Sequence, residues 1–345
     1  MKAAVFRGPG QLALEEVPYP PLPADGLILK VEACGICGSD LRAMQHGLRF
    51  AREWQILGHE VAGVVAEVGS EVADYQVGDR LAVAADVHCH RCYYCRRALY
   101  NLCEDWKLIG AHYPGGMAEY MALPEDILRR GIVHRIPQGL SSIYAALAEP
   151  ASSVLASQHD AGVEPGEVVA IIGNGPMGCL HVQVARARGA KAVLAGRRAE
   201  RLRVAEALGA WRLVDTSQAN LLAEVRALTE GRGADVAIVA CASGEAQAEA
   251  VQLVRKRGRV ILFGGLPRED PITHLDANRI HYGELRIIGS FSYHPSYHQL
   301  ALEMIARGQI EAAKIITATF PLSRVTEAFA AAREATQLKV VLTQV

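Results

Sequence analysis

The stretch HCHRCYYCRRALYNLC, His88 to Cys103, holds four of the chain's eight cysteines within fifteen positions. Cys89, Cys92 and Cys95 follow one another at C-x-x-C spacing and Cys103 comes eight residues later, a pattern that wraps four sulfurs around one tetrahedral ion. Four thiolates leave no open coordination position. The expected site is therefore a closed structural zinc that clamps a lobe (88–104) lacking a core of its own. An iron–sulfur cluster or free thiols are the competing readings of the same spacing, and His88 and His90 stand near enough in sequence to replace one sulfur. A closed site does no chemistry, so any reaction must be sought elsewhere in the chain.

A second motif points to a ligand. VVAIIGNGPMG reads as a buried strand followed by Gly173, Gly175 and Gly178 in G-x-G-x-x-G spacing, with Pro176 and Met177 opening a helix. The first glycine permits the tight turn, the second admits a pyrophosphate to the backbone, and the third lets helix and strand pack closely. Amide groups and the helix dipole then face the phosphates of a dinucleotide. The next strand, KAVLAG, ends in Gly196 followed by Arg197 and Arg198, with Arg201 one turn further on. An acidic residue there would hold the ribose hydroxyls of NAD. A small residue followed by guanidinium groups leaves room and charge for a 2′-phosphate instead, so NADP is favoured over NAD. The competing reading of the arginines is a solvated helix start.

Two textures of sequence must position these motifs. Up to about Pro150 the chain shows short β runs broken by Gly and Pro, such as LILKVEACGICG, VAGVVAEVGS and VGDRLAV. From Glu167 apolar strands alternate with helical patterns through VVAIIG, KAVLAG, WRLVD, ADVAIVAC, RVILFGG and LRIIGS, which predicts a doubly wound parallel α/β sheet. A further helix, YHQLALEMIARG, and a tail ending in LKVVLTQV are expected to return to the first domain. The predicted domains are 1–150, a nucleotide-binding domain over 151–290, and a C-terminal return over 291–345. In 345 residues, half of them hydrophobic and 21% charged with a formal net charge of -1, nothing draws the chain to nucleic acid or an anionic membrane. Small molecules and copies of itself are the expected partners. The start MKAAVFRGPG has no leader-like apolar region and no run reaches membrane-spanning length, so a reducing cytoplasm is expected, where clustered cysteines bind metal.

EACGICGSD, GHEVAGVVAEVGSEVADYQVGDRLAV, the four-cysteine lobe, AEPASSV and GNGPMG occur in an order that resembles the zinc-containing medium-chain dehydrogenase/reductases of the polyol (sorbitol) and threonine dehydrogenase branch. The resemblance spans essentially the full length. It implies a β-rich, GroES-like catalytic domain interrupted by a Rossmann domain, one catalytic zinc in the cleft between them, and a homodimer or homotetramer. It also says which residues meet at that zinc: Cys37, His59, and the carboxylates Glu60 and Glu149, the last two alternating directly or through water. Neighbours on a strand face opposite ways, so His59 and Glu60 can both ligate only across a backbone kink. An open position at such a zinc suits Lewis-acid transfer of a hydride from an alcohol to nicotinamide. Ser39 matches the family hydroxyl that relays the proton, and His46 matches a second histidine of the polyol branch, while Arg42 stands where relatives often carry histidine.

Glu149 and the CGSD form imply a polyol, sugar or cyclitol, although Ala43 replaces an aromatic position of sorbitol dehydrogenases. The polar clusters DANRIHYGE and SYHPSYH would line the substrate or belong to solvated loops. Phe263, at the end of its strand, would touch the cofactor, with turn glycines following it. Cys34, Cys179 and Cys241 read as small buried packing residues. The alternatives within enzymes are a threonine-type 3-hydroxy amino acid dehydrogenase and an NAD-linked polyol dehydrogenase. From another class, a non-catalytic nucleotide-binding sensor would have no need of the open zinc set. An enzyme predicts about two zinc ions per chain and a sensor about one.

Overall fold

Leu27–Gly35 (β1), rich in aliphatic side chains and buried along almost its whole length, is the strand on which the first unit is built. Beside it runs Glu60–Val68 (β2), antiparallel, with Gly35 opposite Glu60, and β2 pairs in turn with Arg80–Val87 (β3). The computed structural model describes residues 1–48, 53–334 and 337–344. Two C-terminal strands complete the sheet on the other side of β1. Lys339–Thr343 pairs antiparallel with β1 so that Val341 faces Gly35, and Ile316–Pro321 lies parallel to it. Leu27, Leu29, Val61, Leu81, Val83, Phe329 and Leu342 share the buried core of this unit.

Two helices bear on the site. Gly38–His46 (α1) starts directly after β1 and carries acidic Asp40 in its first turn and His46 in its last, the arrangement the helix dipole favours. Ala148–Asp160 (α2) carries Glu149 in its first turn.

The second unit is the parallel sheet foreseen in the apolar runs. Val168–Ile172 (β4), Lys191–Gly196 (β5), Arg212–Asp215 (β6), Ala234–Val239 (β7), Val254–Leu262 (β8) and Arg286–Gly289 (β9) line up in the order β6-β5-β4-β7-β8-β9 with every pairing parallel. All five residues of β4 are buried, as a strand covered on both faces requires. The order reverses between β4 and β7, which is where this fold places a ligand, at the carboxyl ends of the strands. Pro176–Ala187 (α3) leaves β4 at that point, and Ala199–Ala207 (α4) follows β5.

The two compact units are Met1–Ser152 with His294–Arg307 and Ile316–Val345, and Ser153–Tyr293 with Gly308–Ile315. The short segment Gly308–Ile315 thus differs from the single return predicted over 291–345. Specific bonds explain it. The Glu311 backbone N–H donates to Gln183 Oε1 at 2.5 Å, the Glu311 carboxylate pairs with Arg186 at 3.0 Å, and Lys314 Nζ donates to the Ala207 carbonyl at 2.8 Å, all on α3 or α4. Among the described residues no helix is long and apolar enough to cross a membrane.

Candidate active site and nucleotide loop

Cys37 occupies the extended residue before α1 (φ -93°, ψ 156°), and its backbone N–H donates to Asp40 Oδ2 at 2.9 Å. The other oxygen of the same carboxylate lies 3.8 Å from His59 Nδ1. Asp40 therefore ties two of the expected metal ligands together from one buried position. His59 precedes β2 rather than belonging to it, because Gly58 turns the chain at φ +95°, a conformation that side chains rarely adopt. That turn supplies the kink that adjacent ligands need. Gly58 also has no room for a side chain, since a Cβ there would meet Cys34 Sγ at 2.5 Å. Cys34 itself is buried packing, and burial pushes its thiol pKa well up.

Glu60 opens β2 opposite Gly35, and the missing Cβ at Gly35 is what leaves space for the Glu60 carboxylate. Lys339, from the C-terminal strand, reaches this carboxylate with Nζ 2.5 Å from Oε1 while also donating to the Ile36 carbonyl at 3.0 Å. Donor atoms of Cys37, His59 and Glu60 all lie within 4.8 Å of one another. A thiolate, an imidazole and a carboxylate at that separation are a donor set that fits zinc.

Ser39 Oγ stands 3.4 Å from His59 Nε2, at the edge of the group. Glu149 is buried and lies outside the three-residue group, yet His59 and Lys339 both feel its charge. Burial, together with the charges of Glu60 and Asp86 and against that of His59, pushes the Glu149 carboxyl up to about 7. Burial pulls the His59 imidazolium down, but Asp40, Cys37 and Glu149 outweigh it and hold its pKa well above the usual value. Acidic groups thus crowd a dry site that holds protons more tightly than usual, and a dication would take the place of those protons.

Not every expected residue joins. His46 is exposed at the far end of α1, separated from Ser39 by roughly 10 Å of helical rise. The helix axis carries it away from the group. Conversely, Asp40 and Lys339 were not anticipated. Asp40 had a local signal, an acidic residue three positions after a cysteine at a helix start. Lys339 had only the oddity of a lysine inside an apolar strand.

In the lobe, Cys89, Cys92, Cys95 and Cys103 bring four sulfurs within 4.8 Å of one another, and none forms a disulfide. Backbone N–H groups point at the sulfurs, from Cys89 to Cys103 Sγ at 3.2 Å and from Cys92 to Cys89 Sγ at 3.3 Å. The amides of Cys95 and Glu104 hold the Cys92 thiol down to about 6, whereas burial and neighbouring sulfurs push Cys95 up. One preformed thiolate beside crowded thiols fits a metal that ionises the rest. His88 and His90 lie against the Tyr100 ring, at 5.4 and 5.0 Å, outside the sulfur group.

In the second unit, Gly173 takes φ +114° at the end of β4, and its N–H donates to the Ala195 carbonyl of β5 at 2.9 Å. Gly175 caps α3 with Pro176 as its first residue and Met177 next. A Cβ at Gly178 would strike the Gly173 carbonyl, so the helix packs on the strand as the motif requires. Open space lies over Gly175, where the nearest atom to a notional Cβ is Arg201 Nη1 at 3.9 Å. Arg201 is partly buried, and burial followed by the charge of Arg198 lowers its pKa. Arg197 and Arg198 are exposed directly after Gly196, and the charge of Arg197 reaches Cys241 beyond β7. A loop of open amides flanked by three guanidinium groups fits a phosphorylated dinucleotide. Phe263 packs edge-to-face on His181 of α3, with ring centroids 4.7 Å apart. Cys179 is buried in the first turns of the same helix.

Two family models match the chain: an alcohol dehydrogenase GroES-like domain over residues 23–138 and a zinc-binding dehydrogenase over residues 176–307. The chain is 33% identical to sorbitol dehydrogenase of Bacillus subtilis (strain 168), over 95% of its own length and 92% of that protein's. It is also 33% identical to D-arabitol-phosphate dehydrogenase of Enterococcus avium, over 99% and 97%. Among solved structures, a zinc-binding dehydrogenase from Sinorhizobium meliloti 1021 bound to NADP has a TM-score of 0.91 and 33% identity, covering 99% of this chain and 98% of that one.

Proposed function

The chain belongs to the zinc-containing medium-chain dehydrogenase/reductase family, in its polyol dehydrogenase branch, and on that premise we propose that it moves a hydride between NADP(H) and a secondary alcohol of a polyol, sugar or cyclitol. The observation that carries the proposal is the convergence of Cys37, His59 and Glu60 donor atoms within 4.8 Å, with the Ser39 hydroxyl beside His59. When bound, zinc supplies Lewis-acid polarisation of the substrate oxygen and the nicotinamide supplies the hydride acceptor or donor.

The residues of the chain do the remaining work. Asp40 orients His59 and fixes the backbone of Cys37, so that both ligands are held before metal arrives. Lys339 compensates the Glu60 charge, which leaves Glu149 as the carboxylate that completes the ligand set or exchanges with Glu60. As the alcohol becomes a ketone its hydroxyl proton must leave, and Ser39 Oγ accepts it and passes its own toward solvent; in the reverse direction the same oxygen returns it. The Cys89, Cys92, Cys95 and Cys103 site holds a second, structural zinc.

NADP rather than NAD is supported by Gly196 at the strand end, by Arg197, Arg198 and Arg201 around it, and by the NADP bound to a relative of the same fold. The test is a set of initial rates, followed by nicotinamide absorbance, over polyols, cyclitols and threonine with NADP and NAD separately. Turnover of a polyol or cyclitol with NADP is the expected result. Turnover of threonine alone, or rates with NAD that exceed those with NADP, would overturn the substrate or the cofactor half respectively.

A further inference from the structure

Asn174, the residue between the first two glycines of the nucleotide loop, is buried, and its Nδ2 donates to the Arg198 carbonyl at 2.8 Å. Its side chain thereby spans from β4 to the residues after β5 and covers the Cα of Gly196. A Cβ added at Gly196 would meet Asn174 Cβ at 2.7 Å, and would come closer still to Cγ and Oδ1. Real Cβ atoms essentially never approach within 3.0 Å. Relief by a rotamer change is not available, because the Cβ itself is already too near and the amide is anchored.

We propose that Asn174 is a specificity-determining residue that closes the end of β5 to any side chain, and with it to acidic recognition of the nucleotide ribose. This rests on the NADP reading given above. The end of the second strand is where an acidic group would bind the two ribose hydroxyls of NAD. Here that position can hold only glycine as long as Asn174 stands opposite it. The same amide, through the Arg198 carbonyl, fixes the backbone that presents Arg197 and Arg198. One side chain thus excludes the reader of one nucleotide and positions the reader of the other. A change of preference toward NAD requires two substitutions, at 174 and 196 together.

The first readout needs no nucleotide. In the full-length protein, G196A is expected to lower the apparent melting temperature by at least about 3 °C, the scale of a kilocalorie-sized clash in a domain of this size. In the N174G background the same substitution should cost much less. N174A, which removes Cγ and Oδ1 but keeps the Cβ at 2.7 Å, should give an intermediate cost. The second readout is the dissociation constants of NADP and NAD by titration. G196D alone should weaken both nucleotides, and N174G/G196D should bind NAD at least about tenfold more tightly than G196D does, which converts to about 1.4 kcal/mol. An equal cost of G196A in all three backgrounds, or a gain of NAD binding in G196D alone, would overturn the proposal. Wild-type protein that prefers NAD would overturn the NADP reading, and the unfolding comparison would still decide whether Asn174 closes the position.

Discussion

Lys339 Nζ lies 2.5 Å from Glu60 Oε1, joining side chains 279 positions apart in the sequence. Both are buried, Lys339 at 5% exposure and Glu60 at 0%. A pair so dry is stabilising only as a pair, because either charge alone would remain in a medium that cannot solvate it.

Lys339→Met should therefore lower stability by about 3–5 kcal/mol. Chemical denaturation would measure it. The double variant K339M/E60Q, which removes both charges, should recover at least half of that loss. A double variant no more stable than K339M would show that the pair is not coupled.

Asp40→Asn keeps the size of the side chain but removes the charge that faces His59. Zinc affinity at the Cys37 group should fall by about 10–100-fold, the usual effect of losing a carboxylate that orients a ligating histidine. Competition with a chelator would read it out. Nucleotide binding should not change, since the glycine loop belongs to the other unit.

Cys95→Ser removes a buried member of the four-sulfur lobe. Loss of about one zinc per chain together with a lower melting temperature is expected, because binding energy at such a site is folding energy. Retention of full zinc content with unchanged melting would refute the structural role.

His298 and His134 meet with their Nδ1 atoms 3.0 Å apart, and burial pushes His298 from 6.5 down to about 3. Between those values the unfolded chain takes up a proton that the folded chain refuses. Stability from this residue is thus complete above pH 6.5 and declines below it, by about 1.4 kcal/mol for each pH unit until pH 3 is approached. His298→Phe should flatten the acid limb of a stability-versus-pH curve. An unchanged limb would assign the acid sensitivity to other groups.

The parts of the site that are legible in sequence are those built from neighbours in the chain. Cys89 to Cys103 close on one another within a single loop, and Gly173 to Gly178 join one strand to the helix that follows it, so spacing read together with the flanking elements locates them. The six parallel strands are equally legible, since each is a short apolar run bounded by turn residues. Lys339 is not, because its role depends on strand order: only when the C-terminal strand pairs with β1 does residue 339 arrive beside Glu60. Asn174 and Gly196 lie 22 positions apart, and the parallel register Ile172 to Ala195 is what sets them against each other. His46 shows where chain proximity and spatial proximity part. Its sequence distance from Ser39 is small, but a helix converts seven residues into roughly 10 Å of separation.

The most direct test of chemistry at Cys37 is zinc content and NADP-dependent turnover measured together on Cys37→Ala. The expected result is a fall from about two zinc ions per chain to about one, with turnover abolished and NADP affinity retained. Turnover preserved with one zinc lost, or lost together with nucleotide binding while both zinc ions remain, would contradict catalysis at the Cys37, His59 and Glu60 group.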